Sequence, residues 1–366
     1  MSIVLSAKGG EMAKRQKFIA AFAALAVLAG SAFAGETEIF GENWFRYTAK
    51  LEDSDLESSG FSVERIYLRW NHKHTDRLES RVTVEMFSSD KSSDANGAGL
   101  KLKDGYVKFA GIVPEGDITV GLQKQYFGRV YDWEYWPIEK AMGERYEVIS
   151  GSRDYGVSVG GYIPQGYGTW RVEAINGEGY KKSGSLINKQ PAAIADLRVI
   201  PIPGLTAGGS VIWENAGPDT LDYQLRLYYT GLMRLAKGPI DIWGQFLGGQ
   251  YGDADSPTTQ MGFMAFPKLS IKTFTDVDLE LFGRFDYWDP DTQQDDDGTY
   301  MFLGGFNYYF SRTAEGTPGV MVQVAGVRDQ PEADGSAAKH KVMLQLRWEW
   351  STPKLSLGER RLRCWY

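Results

Sequence analysis

The chain has 366 residues, a net charge of −7, 43 glycines, 13% aromatic residues and one cysteine. A single cysteine excludes a disulfide framework and a thiolate zinc cluster, and three histidines leave little imidazole for a metal site. The acidic balance argues against nucleic acid as a partner. A mean hydropathy of −0.34 excludes a bundle of membrane-spanning helices. We therefore expect no bound metal and no cofactor.

The N-terminus carries the features of a secretory leader. Basic residues Lys14, Arg15 and Lys17 precede an apolar run over residues 18–29, which is too short to cross a bilayer as a helix. Small residues follow and end in Ala32-Phe33-Ala34. This order predicts a cleaved signal peptide over residues 1–34, and hence an exported protein.

Short segments of alternating apolar and polar residues make up most of the remaining chain. In residues 340–350, for example, Val342, Leu344 and Leu346 share one face, whereas Gln345 and Arg347 share the other. This period of two is typical of β-strands with one apolar face. Sixteen strands are predicted, at residues 37–50, 60–72, 77–88, 99–110, 116–128, 153–163, 167–176, 191–200, 204–214, 220–235, 239–249, 259–272, 275–288, 299–311, 319–328 and 340–350.

The connections between these strands alternate in length. Long polar stretches follow mostly odd-numbered strands, tight turns follow mostly even-numbered ones, and the longest connection, 129–152, follows the fifth. A sheet can span a bilayer only if it closes on itself, since every backbone polar group must then find a partner. The pattern predicts an all-β, antiparallel up-and-down transmembrane barrel over residues 35–350, with long loops outside and short periplasmic turns. A soluble β-sandwich array is the alternative.

Several stretches between residues 61 and 180 resemble the outer-membrane porins, and among them the porin O/P (phosphate-selective porin) family. They include FSVERIYLRWNHKHTDRLESRVTVEM, LKDGYVKF, ITVGLQKQYFGR, ERYEVISGSRDYGVSVGGYIP and WRVEAINGEGY. The resemblance implies a Gram-negative outer-membrane barrel of about 16 strands, usually a homotrimer, whose third external loop folds inward. The implied constriction loop carries Arg129, Asp132, Trp133, Glu134, Trp136, Glu139, Lys140, Glu144 and Arg145.

A pore of this kind selects solutes by its width and by the charges along its wall. A charge that faced lipid at mid-membrane would cost about 2–4 kcal/mol, so the charged strand residues are expected to face the lumen. They either pair with one another or form a basic ladder for anions. The loop aromatics either offer stacking surfaces to sugars or pin the loop to the wall. The predicted pore-lining charges are Arg65, Arg69, Arg81, Glu85, Arg171, Arg198, Arg226, Arg284 and Arg347.

Two further segments have open interpretations. Residues 351–366 continue past the last predicted strand, as a periplasmic tail, a cloning scar or a read-through. The acidic loop 289–298 has four aspartates but lacks the order of an EF-hand, so a solvated surface loop is favoured over a calcium site. None of the histidines has a serine or aspartate pairing of the kind that catalysis requires, so no enzyme is expected.

The sequence thus predicts an outer-membrane porin through which small hydrophilic solutes and ions diffuse passively. The alternative is a solute-specific channel, for anions, phosphate or sugars, with a binding site at the constriction. The expected partners are outer-membrane lipid, lipopolysaccharide, the permeating solutes and two further copies of the chain.

Overall fold

The computed structural model describes residues 35–52, 55–89, 97–128, 138–181, 191–215, 225–253, 255–312, 318–353 and 355–356. Most of these residues lie in β-strands. The strands are β1 (Glu36–Glu52), β2 (Asp55–Thr75), β3 (Leu78–Ser88), β4 (Ala98–Ala110), β5 (Gly116–Lys124), β6 (Arg153–Ile163), β7 (Gly168–Ile175), β8 (Ala192–Ile202), β9 (Leu205–Asn215), β10 (Leu225–Lys237), β11 (Ile240–Gly252), β12 (Thr258–Ser270), β13 (Leu279–Asp289), β14 (Thr299–Arg312), β15 (Pro318–Pro331), β16 (Lys339–Ser351) and the two-residue β17 (Leu355–Ser356). A four-residue helix, α1 (Met142–Arg145), lies between β5 and β6.

The sixteen long strands form one closed antiparallel barrel, as the alternation predicts. Each strand pairs with the next in sequence, and β1 pairs with β16 from Phe40↔Ser351 to Glu52↔Lys339. Beyond that seam, Leu355 and Ser356 pair with Thr37 and Glu36 at the start of β1. Among the strands that the structure describes, the closure leaves no long sheet edge without a neighbour, which is the condition for a sheet to span a bilayer.

The two faces of each strand have opposite exposure, and the apolar face is the exposed one. On β16, Val342, Leu344 and Leu346 are exposed, whereas Gln345 and Arg347 are buried inside the barrel. A soluble protein shows the reverse arrangement, since its apolar side chains pack inward. An apolar outer face on a closed barrel fits an outer-membrane location.

Among the described residues, the predicted boundaries differ from the structure by four residues or more at three places. Residues 51–59 were expected to form a loop, but β1 and β2 continue as a paired hairpin as far as Glu52 and Asp55. β5 ends at Lys124 rather than at residue 128, because the chain there turns into the barrel interior. β13 begins at Leu279 rather than at residue 275, because a 3₁₀ turn over Ile271–Thr273 lengthens the preceding connection.

One side of the barrel interior carries a buried apolar cluster, which the alternation alone did not predict. Inward side chains from β8 to β16 form most of this cluster, which includes Ile194, Ile212, Phe266, Met301 and Met343. This side, here called the apolar half, also carries buried polar groups such as Gln245, Asn307 and Gln323, and the side formed by β2 to β7 is here called the polar half. The interior face of β2 to β7 carries mainly charged and polar groups. Among the described residues, no helix is long and apolar enough to cross a membrane.

The exposed face of β16 provides a test of the fold. Leu344→Arg at the middle of β16 should lower the free energy of unfolding by about 2–4 kcal/mol, because the guanidinium would face hydrocarbon. Urea titration of the barrel refolded in lipid vesicles measures this change. Leu344→Ala, the matched control, should cost less, and an equal loss for the two variants would contradict an outward Leu344.

Candidate functional site

The segment 138–152, here called the loop segment, contacts the wall of the barrel opposite the strands that it connects. Arg284 of β13 donates a hydrogen bond from Nη1 to the carbonyl oxygen of Lys140 at 2.6 Å. The Tyr146 ring stacks on Trp288 of the same strand, with 5.0 Å between the ring centroids. The segment belongs to the connection between β5 and β6, and these contacts join it to β13, which is adjacent to neither strand.

Four charged groups fasten the loop segment to β15 and β16. Glu139 accepts hydrogen bonds from Arg145 at 2.9 Å and from Lys341 at 3.0 Å, and Arg145 also pairs with Asp329. Burial by itself would raise the pKa of Glu139, but the attraction of Arg145 and Lys341 outweighs it and lowers the pKa to about 2. Glu139 is therefore ionised throughout the ordinary pH range, and this ion cluster stays intact there.

Apolar packing reinforces these ion pairs. Ile138, Ala141 and Met142 are almost completely buried within the apolar cluster of the barrel interior. Gly262 on β12 makes room for them, since a Cβ atom there would lie 2.6 Å from the Met142 Cε atom. The loop segment and the apolar half of the wall thus form one packed core inside the barrel.

The start of the same connection is anchored at β8 and β9. Gly128, with φ of +55°, donates its backbone N–H to Ser210 Oγ at 2.9 Å, and its carbonyl oxygen accepts a hydrogen bond from Arg198. A side chain at this position would meet Gln245 Nε2 at 2.6 Å. Glycine therefore permits both the left-handed turn and the close approach to the wall.

Two of the cavities in the polar half of the interior, here called the outer and the inner chamber, lie on either side of a charged layer. The outer chamber has a volume of ≈ 450 Å³ and lies between the loop segment and the wall. Its loop side carries Lys140, Glu144 and Glu147, and its lining from the rest of the chain includes Arg65, Glu85, Lys101, Lys103 and Lys181. Five cationic side chains thus face three carboxylates around this chamber.

The charged layer below the outer chamber is built on a β-bulge in β4. The pairing of β4 with the neighbouring β3 shifts by one residue between Thr83 and Val84. Lys103 and Asp104 are therefore both buried within the barrel. Lys103 lies 3.5 Å from Glu85, which also binds Arg65 at 3.0 Å. A regular strand would have turned one of the two side chains towards lipid, so the bulge adds a charge to the interior.

The inner chamber, of ≈ 270 Å³, lies on the other side of this layer, near the short turns that follow β2, β4 and β6. Arg81, Lys108, Lys124 and Arg171 supply four cations to its lining, and Asp104 and Asp117 supply two carboxylates. Arg153 donates a hydrogen bond from Nε to Asp104 at 3.1 Å and so links the chamber to the charged layer.

The predicted pore-lining charges are all buried or half-buried in the structure, and most have a carboxylate partner. Arg171 forms a two-pronged pair with Asp117, and Arg347 contacts Glu42 at 3.0 Å and Glu349 at 2.6 Å. The remaining pairs are Arg65 with Glu85, Arg198 with Asp196, Arg226 with Glu214, and Arg284 with Asp286.

Arg69 and Arg81 differ from the other arginines. Their hydrogen-bond partners among the described residues are neutral, namely Thr83 at 3.4 Å for Arg69 and Asn71 at 2.8 Å for Arg81. Both lie on the wall of the polar half, on β2 and β3. The paired-charge interpretation therefore describes six arginines, and the basic-ladder interpretation is favoured only for these two.

Five of the predicted arginines are in the lining of neither chamber, namely Arg69, Arg198, Arg226, Arg284 and Arg347. Arg198 and Arg284 hold the connection between β5 and β6, and Arg226 bonds the carbonyl oxygen of Gly177 at 3.0 Å. Five predicted constriction residues, Arg129, Asp132, Trp133, Glu134 and Trp136, lie outside the described residues. Sequence reasoning missed Lys101, Lys103, Asp104 and Arg153, although the LKDGY motif contains two of them.

Known structures share this fold. The outer-membrane-expressed OmpT of Vibrio cholerae superposes with a TM-score of 0.61 at 13% identity, over 87% of this chain and 99% of that chain. The anion-selective porin from Comamonas acidovorans gives a TM-score of 0.59 at 13% identity, over 86% and 100% of the two chains. The outer membrane channel DcaP of Acinetobacter baumannii gives a TM-score of 0.59 at 12% identity, over 87% of this chain and 98% of that chain. No family model matches the sequence, and no curated protein does.

Acid should loosen the loop segment through Glu139. Its pKa is lowered from 4.5 to about 2, so its stabilising contribution is complete above about pH 4.5 and is lost as the pH falls towards 2. Amide hydrogen exchange across residues 138–148 should accelerate over that window, beyond the intrinsic dependence of exchange on pH.

A neutral variant provides the comparison. Glu139→Gln should show accelerated exchange already at pH 7. The free energy of local opening should fall by about 3–5 kcal/mol, because Arg145 and Lys341 keep buried charges without the carboxylate that lies between them. Glu147→Gln, on an exposed side chain of the same segment, should behave like the wild type. Equal exchange in all three proteins at pH 7 would show that the ion cluster does not hold the segment.

Proposed function

We propose that the protein is a passive outer-membrane channel for small hydrophilic solutes and ions. The observation that carries this proposal is the pair of chambers of ≈ 450 and ≈ 270 Å³ on the polar half of a closed barrel. Water-sized spaces lined by charges favour hydrated solutes over apolar ones. The porin fold of the structural neighbours supports the same role.

The loop segment is proposed as the inward-folded constriction loop. Its ion pairs to β15 and β16 and its apolar packing against β12 account for how it is held across the interior. Because it occupies the apolar half, the passage is displaced towards β2 to β7. Glu144, Glu147 and Lys140 then form one side of the passage, and Arg65, Lys101 and Lys103 form the other.

A preference for anions follows from the balance of charges along this passage. Cations outnumber carboxylates around both chambers, by five to three and by four to two. The overall acidity of the chain does not oppose this, since a solute in the passage responds mainly to the charges that surround it within about 8–10 Å. The preference is proposed as weak, because most lumen arginines are already paired.

The remaining proposals concern identity and assembly. We propose membership of the porin O/P family on the motifs between residues 61 and 180, and a homotrimer embedded in lipid and lipopolysaccharide. One of the neighbours is described as a trimer form of Vibrio cholerae OmpT, which supports the trimer. A passive channel needs no catalysis, and no enzymatic activity is proposed.

Planar-bilayer recording tests the channel and its selectivity together. Insertion of the purified protein should give discrete steps of conductance. In a KCl gradient, the sign of the reversal potential should show that chloride permeates more readily than potassium. Arg81→Gln, in the lining of the inner chamber, should lower the chloride-to-potassium permeability ratio by up to about fivefold, because one charge at about 4 Å is worth about 1 kcal/mol in water.

A matched control uses an arginine outside the passage. Arg328, exposed near the end of β15, pairs only with Gln330 among the described residues, so Arg328→Gln should leave the permeability ratio unchanged. An absence of conductance steps would refute the channel, whereas equal effects of the two substitutions would refute the position of Arg81 in the passage.

A further inference from the structure

The inner chamber contains aromatic rings that passive diffusion does not require. Tyr106, Tyr126 and Tyr162 line its volume of ≈ 270 Å³. A second cavity of ≈ 220 Å³ shares Tyr126, Tyr162 and Arg171 with it and adds Trp170 to the lining. Tyr106, Tyr162 and Trp170 come from β4, β6 and β7, near the short turns, whereas Tyr126 follows the other end of β5 and lies against Arg171 of β7.

Two of the rings are paired with cations that are themselves held in place. The Arg171 guanidinium carbon lies 4.5 Å from the centroid of Tyr126, and two hydrogen bonds to Asp117, of 3.0 and 2.9 Å, fix its orientation. The Arg81 guanidinium carbon lies 5.6 Å from the centroid of Tyr106, and its Nε atom donates a hydrogen bond to Asn71. Each ring therefore has a positive charge beside a flat apolar face.

The charges of this chamber are not fully balanced. Asp117 is engaged by Arg171, and Asp104 is engaged by Arg153 of the charged layer. The charge of Lys108 is offset by Glu79, whose carboxylate oxygen lies 2.8 Å from the Lys108 Nζ atom. Arg81 has only neutral hydrogen-bond partners among the described residues, so it can offer its remaining N–H groups to an anion.

The size of the chamber limits its occupant. Pockets for drug-sized ligands enclose about 300–1,000 Å³, so a space of ≈ 270 Å³ suits a molecule with a single ring. The face of a sugar ring or an aromatic ring can lie against a tyrosine, and a carboxylate on that ring can reach Arg81.

We propose that the inner chamber binds small organic anions that carry one ring, with the ring on the tyrosines and the anionic group on Arg81. The proposal rests on the proposed channel function, to which it adds a substrate class. Such anions have two sources, aromatic carboxylates and sugar acids, and both present a flat face and a carboxylate.

Calorimetric titration of the purified, detergent-solubilised protein tests this binding without requiring conductance. The probes are benzoate, glucuronate, acetate and glucose. Benzoate or glucuronate should bind at least about tenfold more tightly than acetate, which lacks the ring, and than glucose, which lacks the charge. Whichever ring anion binds more tightly identifies the source. Equal affinity for acetate and both ring anions, or no binding of either ring anion, would overturn the proposal.

Variants separate the ring from the charge. Tyr126→Leu should reduce the affinity for the ring anion about tenfold and leave the affinity for acetate unchanged. Tyr126→Phe should retain the wild-type affinity for the ring anion. Arg81→Gln should reduce the affinity for the ring anion and for acetate. Tyr308→Leu, on the outer face of β14, is the control and should bind like the wild type.

The folded state of each variant is checked by its β-sheet circular dichroism and by its resistance to unfolding in detergent. A folded Tyr126→Leu protein with undiminished affinity for the ring anion would contradict the site. If the protein binds the ring anion but forms no channels, the channel function is refuted and the binding site is not. If it forms channels but does not bind the ring anion, the binding site is refuted and the channel function is not.

Discussion

The closure of the sheet between β1 and β16 is the constraint on which the rest of the structure depends. It satisfies the backbone polar groups along the last edge of the sheet and so allows an apolar outer face to meet lipid. Closure also creates an interior that sixteen strands make too wide to be filled by their own side chains. What occupies that interior then decides what the barrel can do.

The loop segment, residues 138–152, packs against one side of this space. Its apolar side chains pack against β8 to β16, and Glu139, Arg145, Asp329 and Lys341 hold it there. Hydrophobic packing and ion pairs thus act on the same segment. The polar groups of β2 to β7 are left along an open strip, and the two chambers lie there. The division of the interior therefore explains both the position and the charge of the proposed passage.

Much of the fold could be predicted from the sequence, because an alternation of period two states which side chain faces lipid. The strand positions and the inward face of Arg347 follow from it directly. The inward positions of Lys103 and Asp104 do not follow from the alternation, because a β-bulge turns two successive residues inward and breaks the period. Met301 and Phe266 also escaped prediction, since inward apolar residues are explained only by the loop segment that packs on them. The roles of Arg69 and Arg81 depend on which carboxylates lie nearby, and sequence spacing does not give that.

Thiol accessibility tests the off-centre passage most directly. In a Cys364→Ser background, which removes the single cysteine of the chain, Lys101→Cys places a thiol in the outer chamber and Val327→Cys places one in the apolar half. A charged, membrane-impermeant thiol reagent should react rapidly at position 101 and reduce the single-channel current, and it should leave position 327 unmodified. Rapid reaction at position 327 with a matching loss of current would contradict a passage confined to the polar half.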